Sequence, residues 1–246
     1  MKIKKLLEEQ KFTLEVTMPQ SMEYVDAVLK GGAQALKMRC NCDRPGEALH
    51  NGIRIGTFQE RKQFLREVVE KAGDVPVGLV PGMETQFVTE AERDEMEQIG
   101  IDFFNTEPTF VPAYMFQSKT MNNVLAVTAE NMTDRLLRGL ALDPKVDIIE
   151  GNVVPMKTRG TGLLYGDVLQ YAALVDILKK PVIATGQRIM KPEDVKYFYD
   201  VGCKAFMLGV IAFRAAQEKY DGGDTVTPEI CYRVTSEFRE AIEKLQ

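Results

Sequence analysis

Pro181-Val-Ile-Ala-Thr-Gly-Gln-Arg188 and Ala205-Phe-Met-Leu-Gly-Val-Ile-Ala212 decide how the rest of the chain is read. Each is a short apolar run broken by a glycine, the pattern of a strand buried on both faces that hands over to a loop or helix. A helical pattern from Pro192 to Val201 joins the two. Glycine at Gly186 and Gly209 lets backbone come close to a ligand, with N–H groups left to hold an anion. In (β/α)8 barrels the loops after strands seven and eight form the usual phosphate site. If these are the last two strands of eight, the chain takes a phosphorylated small molecule.

Working outward, the same alternation runs the length of the chain. Strand patterns fall at 12–17, 33–39, 75–80, 102–107, 123–129, 146–152, 181–186 and 205–210. Helical patterns fall between them at 20–30, 57–72, 89–98, 131–142, 167–178 and 191–200, and a last one at 228–245 closes the chain. Thr89 has Glu92 three residues on, and Pro192 is followed by Glu193 and Asp194, both helix-start signals. Strand, helix, strand repeated eight times predicts an α/β fold, a parallel sheet closed into a TIM barrel. An open doubly wound sheet is the rival, but no Gly-x-Gly-x-x-Gly follows the first strand. No linker or low-complexity stretch divides residues 1–246, so a single barrel domain is expected. Three segments after strands are long, at 40–56, 108–121 and 153–166, and all would lie at the C-terminal mouth where barrel chemistry sits.

Composition narrows the function classes. A net charge of −5 without a basic block argues against nucleic acid. Hydrophobic residues at 45% and charged residues at 27% are the balance of a globular protein, and no apolar stretch reaches the length of a membrane span. Residues 1–10 read as a short amphipathic helix rather than a secretory signal, so a cytoplasmic location is expected, with a homo-oligomer compatible. Cys40-Asn-Cys42 has only His50 near it, too few ligands for zinc, and reduced thiols without a metal are expected.

Strand alternation places charged residues together. Lys37 and Arg39 share a face of the second strand, Asn105 and Glu107 of the fourth, Glu150 and Asn152 of the sixth, and Thr13, Glu15 and Thr17 of the first. Charges inside apolar strands need partners or a ligand. One reading is an internal salt-bridge layer such as Glu15–Lys37. The other is a polar ring around a small anionic substrate, with Lys37 and Glu150 as acid and base and Arg39 and Glu107 orienting. Glu15, Asn105, Lys157 and Arg159 would contact the substrate. Gly186, Gln187, Arg188, Gly209 and Val210 would hold its phosphate. Burial and Arg39 would both lower the Lys37 pKa, which suits a base or a Schiff-base amine, and a carboxylate opposite would cancel that. The loop Pro155-Met-Lys-Thr-Arg-Gly-Thr-Gly162 offers cations and glycines as an anion clamp, and His50 is a candidate lid residue.

Several stretches resemble known barrels. Gly162-Leu-Leu-Tyr-Gly-Asp-Val-Leu-Gln170, Val182-Ile-Ala-Thr-Gly186 and residues 202–214 resemble the N-acetylmannosamine-6-phosphate 2-epimerases. Gly31-Gly-Ala-Gln-Ala-Leu-Lys37 and Val75-Pro-Val-Gly-Leu-Val80 line up with that family's second and third strands. The resemblance implies a phosphate-binding barrel that inverts a carbon beside a carbonyl by moving a proton. The family's catalytic residues do not carry over. Val80-Pro81-Gly82 stands where it has a lysine, Thr185 where it has a glutamate, and Lys37 where it has an arginine. Ile99-Gly-Ile-Asp-Phe-Phe-Asn-Thr-Glu107 and Lys157-Thr-Arg-Gly-Thr-Gly162 are similar to the synthase subunit of pyridoxal phosphate synthase, whose adduct-forming lysines fall here near Val80 and Arg159.

The expectation is therefore a phosphosugar isomerase or epimerase acting by proton transfer next to a carbonyl. Its alternatives are a Schiff-base lyase or synthase using Lys37 or Lys157, and a non-catalytic phosphometabolite-binding barrel. No cofactor is required, although the same two loops suit the phosphate of FMN.

Overall fold

The computed structural model describes residues 1–42, 49–220 and 225–245. Eight strands form the barrel: β1 Thr13–Val16, β2 Ala35–Arg39, β3 Val77–Val80, β4 Phe103–Thr106, β5 Asn122–Thr128, β6 Ile148–Asn152, β7 Val182–Thr185 and β8 Ala205–Leu208. Each pairs in parallel with its neighbours in chain order, and β8 closes on β1 through Thr13↔Ala205 to Val16↔Leu208. The chain is a (β/α)8 TIM barrel. Its helices are α1 Lys2–Glu9, α2 Met22–Lys30, α3 Phe58–Ala72, α4 Glu90–Ile99, α5 Asp134–Leu142, α6 Tyr165–Leu178, α7 Val195–Asp200, α8 Val210–Tyr220 and α9 Pro228–Glu243. No helix among the described residues is long and apolar enough to cross a membrane.

The pleat sorts each strand into two faces. Leu14, Val16, Leu36, Met38, Phe104, Leu125 and Ile149 face outward and join the layer between sheet and helices. Ala35, Phe103, Val124, Ile148, Ile183, Ala205 and Met207 face the barrel axis as a separate apolar group. Gly78 is required by that interior: a Cβ there would lie 2.1 Å from the Phe103 ring. Helix α1 plugs the N-terminal end. The Asp102 carboxylate accepts the backbone N–H groups of Lys2 and Ile3, the latter at 2.6 Å, which caps the helix and aims Ile3 and Leu7 at the inner apolar group. With the bottom sealed, the other end is the one open to ligand.

The Thr89 start signal acts as read, forming a full capping box with Glu92. Thr57 forms a second one with Glu60. Two elements depart from the sequence reading. Helix α8 follows β8 directly, because the apolar run continues past Gly209 and conceals where strand ends and helix begins. Leu49–His50 and Ile53–Arg54 form a small antiparallel ribbon. Its turn residues Asn51 and Gly52 have φ of 56° and 78°, the backbone that an Asn-Gly hairpin turn demands.

Candidate active site

A cavity of about 460 Å³ opens at the C-terminal ends of β2 to β6. Its walls bring together Lys37 and Arg39 from β2, Asn105 and Glu107 from the end of β4, Glu150 and Asn152 from β6, and Arg159 from the segment after β6. The alternation that put these pairs on shared faces is the pleat of the barrel itself. Glu84, Phe110, Thr128, Glu130 and Met156 also line the cavity. They were not singled out because each sits in a connection or at a strand end, where neither the helical nor the strand period operates.

At its floor the Lys37 ammonium donates to Glu150 Oε2, both side chains being almost fully buried. The other carboxylate oxygen accepts from Asn152 Nδ2 at 2.8 Å. Asn152 Oδ1 in turn accepts from Gln187 Nε2 at 3.0 Å, and Gln187 Oε1 accepts the Val154 N–H at 3.0 Å. A string of hydrogen bonds from the β7 loop thus fixes the carboxylate that faces Lys37. Behind it, Tyr171 on α6 donates its hydroxyl to the Gly151 carbonyl and accepts the Thr185 N–H at 2.9 Å, tying β6 to β7. Burial pushes that hydroxyl well above its usual pKa, so it remains a donor. Toward the rim, Asn131 Nδ2 donates to Glu107 Oε2 at 3.3 Å, and Arg159 Nε donates to the Val154 carbonyl at 3.3 Å.

The salt bridge is therefore Lys37–Glu150, not the Glu15–Lys37 bridge that the sequence suggested. Glu15 is 1% exposed, is absent from the cavity wall, and its two oxygens have no hydrogen-bond partner among the described residues. Loss of hydration raises its carboxyl from 4.5 to about 7; Lys37 works against this rise and Glu150 adds to it.

Arg188, expected at the phosphate, is engaged within the protein. Its guanidinium forms a fork to the Asp167 carboxylate, Nε to Oδ2 at 2.7 Å and Nη2 to Oδ1 at 2.9 Å. Its Nη1 donates to the Thr158 carbonyl at 2.7 Å and to Thr161 Oγ1. Arg188 is buried, joins the segment after β6 and the start of α6 to the loop after β7, and is not on the cavity wall. Gln187 is likewise occupied with Asn152 and Val154. Gly186, Gly209 and Val210 lie outside the cavity wall, as does the exposed Lys157. The segment after β6 is anchored as well: Gly160 N–H donates to the Gln187 carbonyl at 3.0 Å and Ile189 N–H to the Thr161 carbonyl at 2.9 Å. The guanidinium groups on the cavity wall are Arg39 and Arg159.

The side chain of His50 and part of the 40–56 segment lie outside the described residues. Cys42 Sγ points to the Cys40 carbonyl at 3.3 Å, and among the described residues no three His, Cys, Asp or Glu side chains gather as metal ligands.

No protein-family model and no curated protein sequence matches the chain. Solved structures share its fold. It is similar to the tryptophan synthase alpha subunit from Legionella pneumophila, with TM-score 0.74 and 13% identity over 99% of this chain and 98% of that one. It is similar to thiamine phosphate pyrophosphorylase from Pyrococcus furiosus, with TM-score 0.60 and 18% identity over 96% and 97%. It is also similar to phosphoribosyl anthranilate isomerase from Thermus thermophilus, with TM-score 0.60 and 14% identity over 95% and 100%. At such identities the likeness is one of barrel architecture, and function must be argued from the cavity.

Proposed function

We propose that this barrel is an isomerase or epimerase of a small phosphorylated sugar, moving a proton at a carbon next to a carbonyl. The observation that carries the reading is a buried Lys37–Glu150 pair at the floor of an open polar cavity. Glu150, held by Asn152, would take the proton from carbon. The Lys37 ammonium would donate to the carbonyl oxygen as enolate charge develops there. Arg39 and Arg159 would meet the phosphate at the rim, in place of Arg188. Two names among the structural neighbours, thiamine phosphate pyrophosphorylase and phosphoribosyl anthranilate isomerase, carry a phosphorylated compound or an isomerisation in their wording, and this favours a substrate of that class. The resemblance of residues 162–170 and 182–186 to N-acetylmannosamine-6-phosphate epimerases favours the same chemistry, carried here by a different residue set.

The Schiff-base alternative needs the Lys37 nitrogen as a nucleophile, and that nitrogen is engaged by the Glu150 carboxylate. Proton transfer is tested by incubating the protein in D2O with a panel of aldose and ketose phosphates and following deuterium at carbon by NMR. Exchange should occur with at least one sugar phosphate and fall by about 100-fold or more in Glu150→Gln. Absence of exchange together with a borohydride-trapped adduct on Lys37 would replace this reading by the Schiff-base one. Absence of both, with thermal stabilisation by a sugar phosphate, would leave a binding barrel.

A further inference from the structure

Beneath the Lys37–Glu150 pair lies an acid that the proposed reaction leaves unused. Glu15 projects from β1 toward the barrel axis, with Met207 opposite it on one side and Ala35 on the other. Neither of its carboxyl oxygens has a hydrogen-bond partner among the described residues. Thr13 Oγ1 on the same strand and both amide atoms of Asn122 on β5 likewise lack a partner among the described residues, as does Asn105 Nδ2 on the cavity wall. Below this polar layer the apolar side chains of Ile3 and Leu7 close the barrel. Glu15 pairs in register with Ala35, two residues before Lys37 on β2, which sets it on the N-terminal side of the pair.

The charges that act on Glu15 are Lys37 from β2 and Glu150 from β6, in opposite senses. A buried carboxylate without donors is costly, so the group keeps its proton where an exposed glutamate would lose it. We propose that Glu15 is a buried proton-holding acid that governs the Lys37–Glu150 pair. While Glu15 is neutral, the Lys37 ammonium belongs to Glu150 alone. Once Glu15 ionises, it competes for that ammonium and loosens Glu150 for proton abstraction. The step breaks one O–H bond and passes the proton to solvent through the cavity. This role rests on the proposed reaction for its use, but the proton site can be observed without any substrate.

The test is an NMR titration of the full chain with 13C-labelled glutamate side chains. One glutamate should titrate with a midpoint near the value of about 7 that burial produces. That signal should vanish in Glu15→Gln. The resonance assigned to Glu150, by its loss in Glu150→Gln, should shift at the same midpoint. Should Glu15→Gln fail to fold, Lys37→Met serves instead: removing the one attractive charge should move the midpoint upward. The proposal is overturned if every glutamate titrates in the ordinary acid range, if the neutral-range signal survives Glu15→Gln, if Glu150 does not move with it, or if Lys37→Met leaves the midpoint in place. A protein that shows the coupled titration yet exchanges no deuterium into any sugar phosphate keeps the proton site and loses the proposed reaction.

Discussion

Replacing Lys37 by methionine should destabilise the barrel by an amount that depends on pH, and the dependence separates a buried ion pair from ordinary packing. Methionine retains most of the lysine stem, so the packing change is small and the lost group is the ammonium. Glu150, only 3% exposed, is then left with Asn152 as its one donor among the described residues and with the charge of Glu15 acting nearby. Truncating one partner of a buried pair costs about 3–5 kcal/mol when the other stays charged. Glu150 can avoid part of that by taking a proton. At pH 7 protonating a carboxyl of ordinary pKa near 4.3 costs about 3–4 kcal/mol, at about 1.36 kcal/mol per pH unit, so this sets the upper limit. At pH 5 the same route costs about 1 kcal/mol. The variant's native state is cheapest when this buried carboxyl carries a proton, and supplying that proton costs more as pH rises. Its stability relative to wild type therefore falls as pH rises from about 4.3 toward neutrality. Urea denaturation of wild type, Lys37→Met, Glu150→Gln and the double variant at both pH values measures this as a double-mutant cycle. The double variant should recover most of the loss at pH 7. A Lys37→Met protein as stable as wild type at pH 7, or equally weakened at pH 5 and pH 7, would refute the pairing.

Arg188→Ala should cost about 3–5 kcal/mol because it strands the buried Asp167, and it should expose the Gly160 and Ile189 amides to exchange. A stable Arg188→Ala protein that loses affinity only for phosphorylated ligands would instead return Arg188 to the phosphate site. Gly78→Ala should cost about 1–3 kcal/mol or more in thermal denaturation by forcing Phe103 from its place, and adding Phe103→Leu should restore part of it. For Glu15, the native carboxyl is raised from 4.5 to about 7, so wild-type stability should fall as pH rises through that interval, by about 3 kcal/mol in all. Glu15→Gln should abolish this slope between pH 5 and pH 8, and an unchanged slope would show that the loss arises elsewhere.

Much of the architecture was legible in the residues because it is local. Eight strands separated by helices follow from period and punctuation, and the Thr89 capping box lies within four residues of chain. The pleat also paired Lys37 with Arg39, Asn105 with Glu107 and Glu150 with Asn152, since alternation along one strand requires no knowledge of its neighbours. Helix α8 and the Asn51-Gly52 ribbon escaped, the first because an unbroken apolar run has no internal boundary and the second because its turn signal joined strands of two residues each. Which charge meets which was decided only when the barrel closed. Lys37 and Glu150 are 113 positions apart and come from strands on different parts of the ring. Arg188 meets Asp167 because α6 begins beside the β7 loop, a pairing that no local pattern in the sequence announces. Alternation names the residues that face the axis, but their height and angle around it depend on the tilt and stagger of all eight strands. That geometry sets Lys37 and Glu150 in contact and leaves Glu15 below them without a hydrogen-bond partner among the described residues.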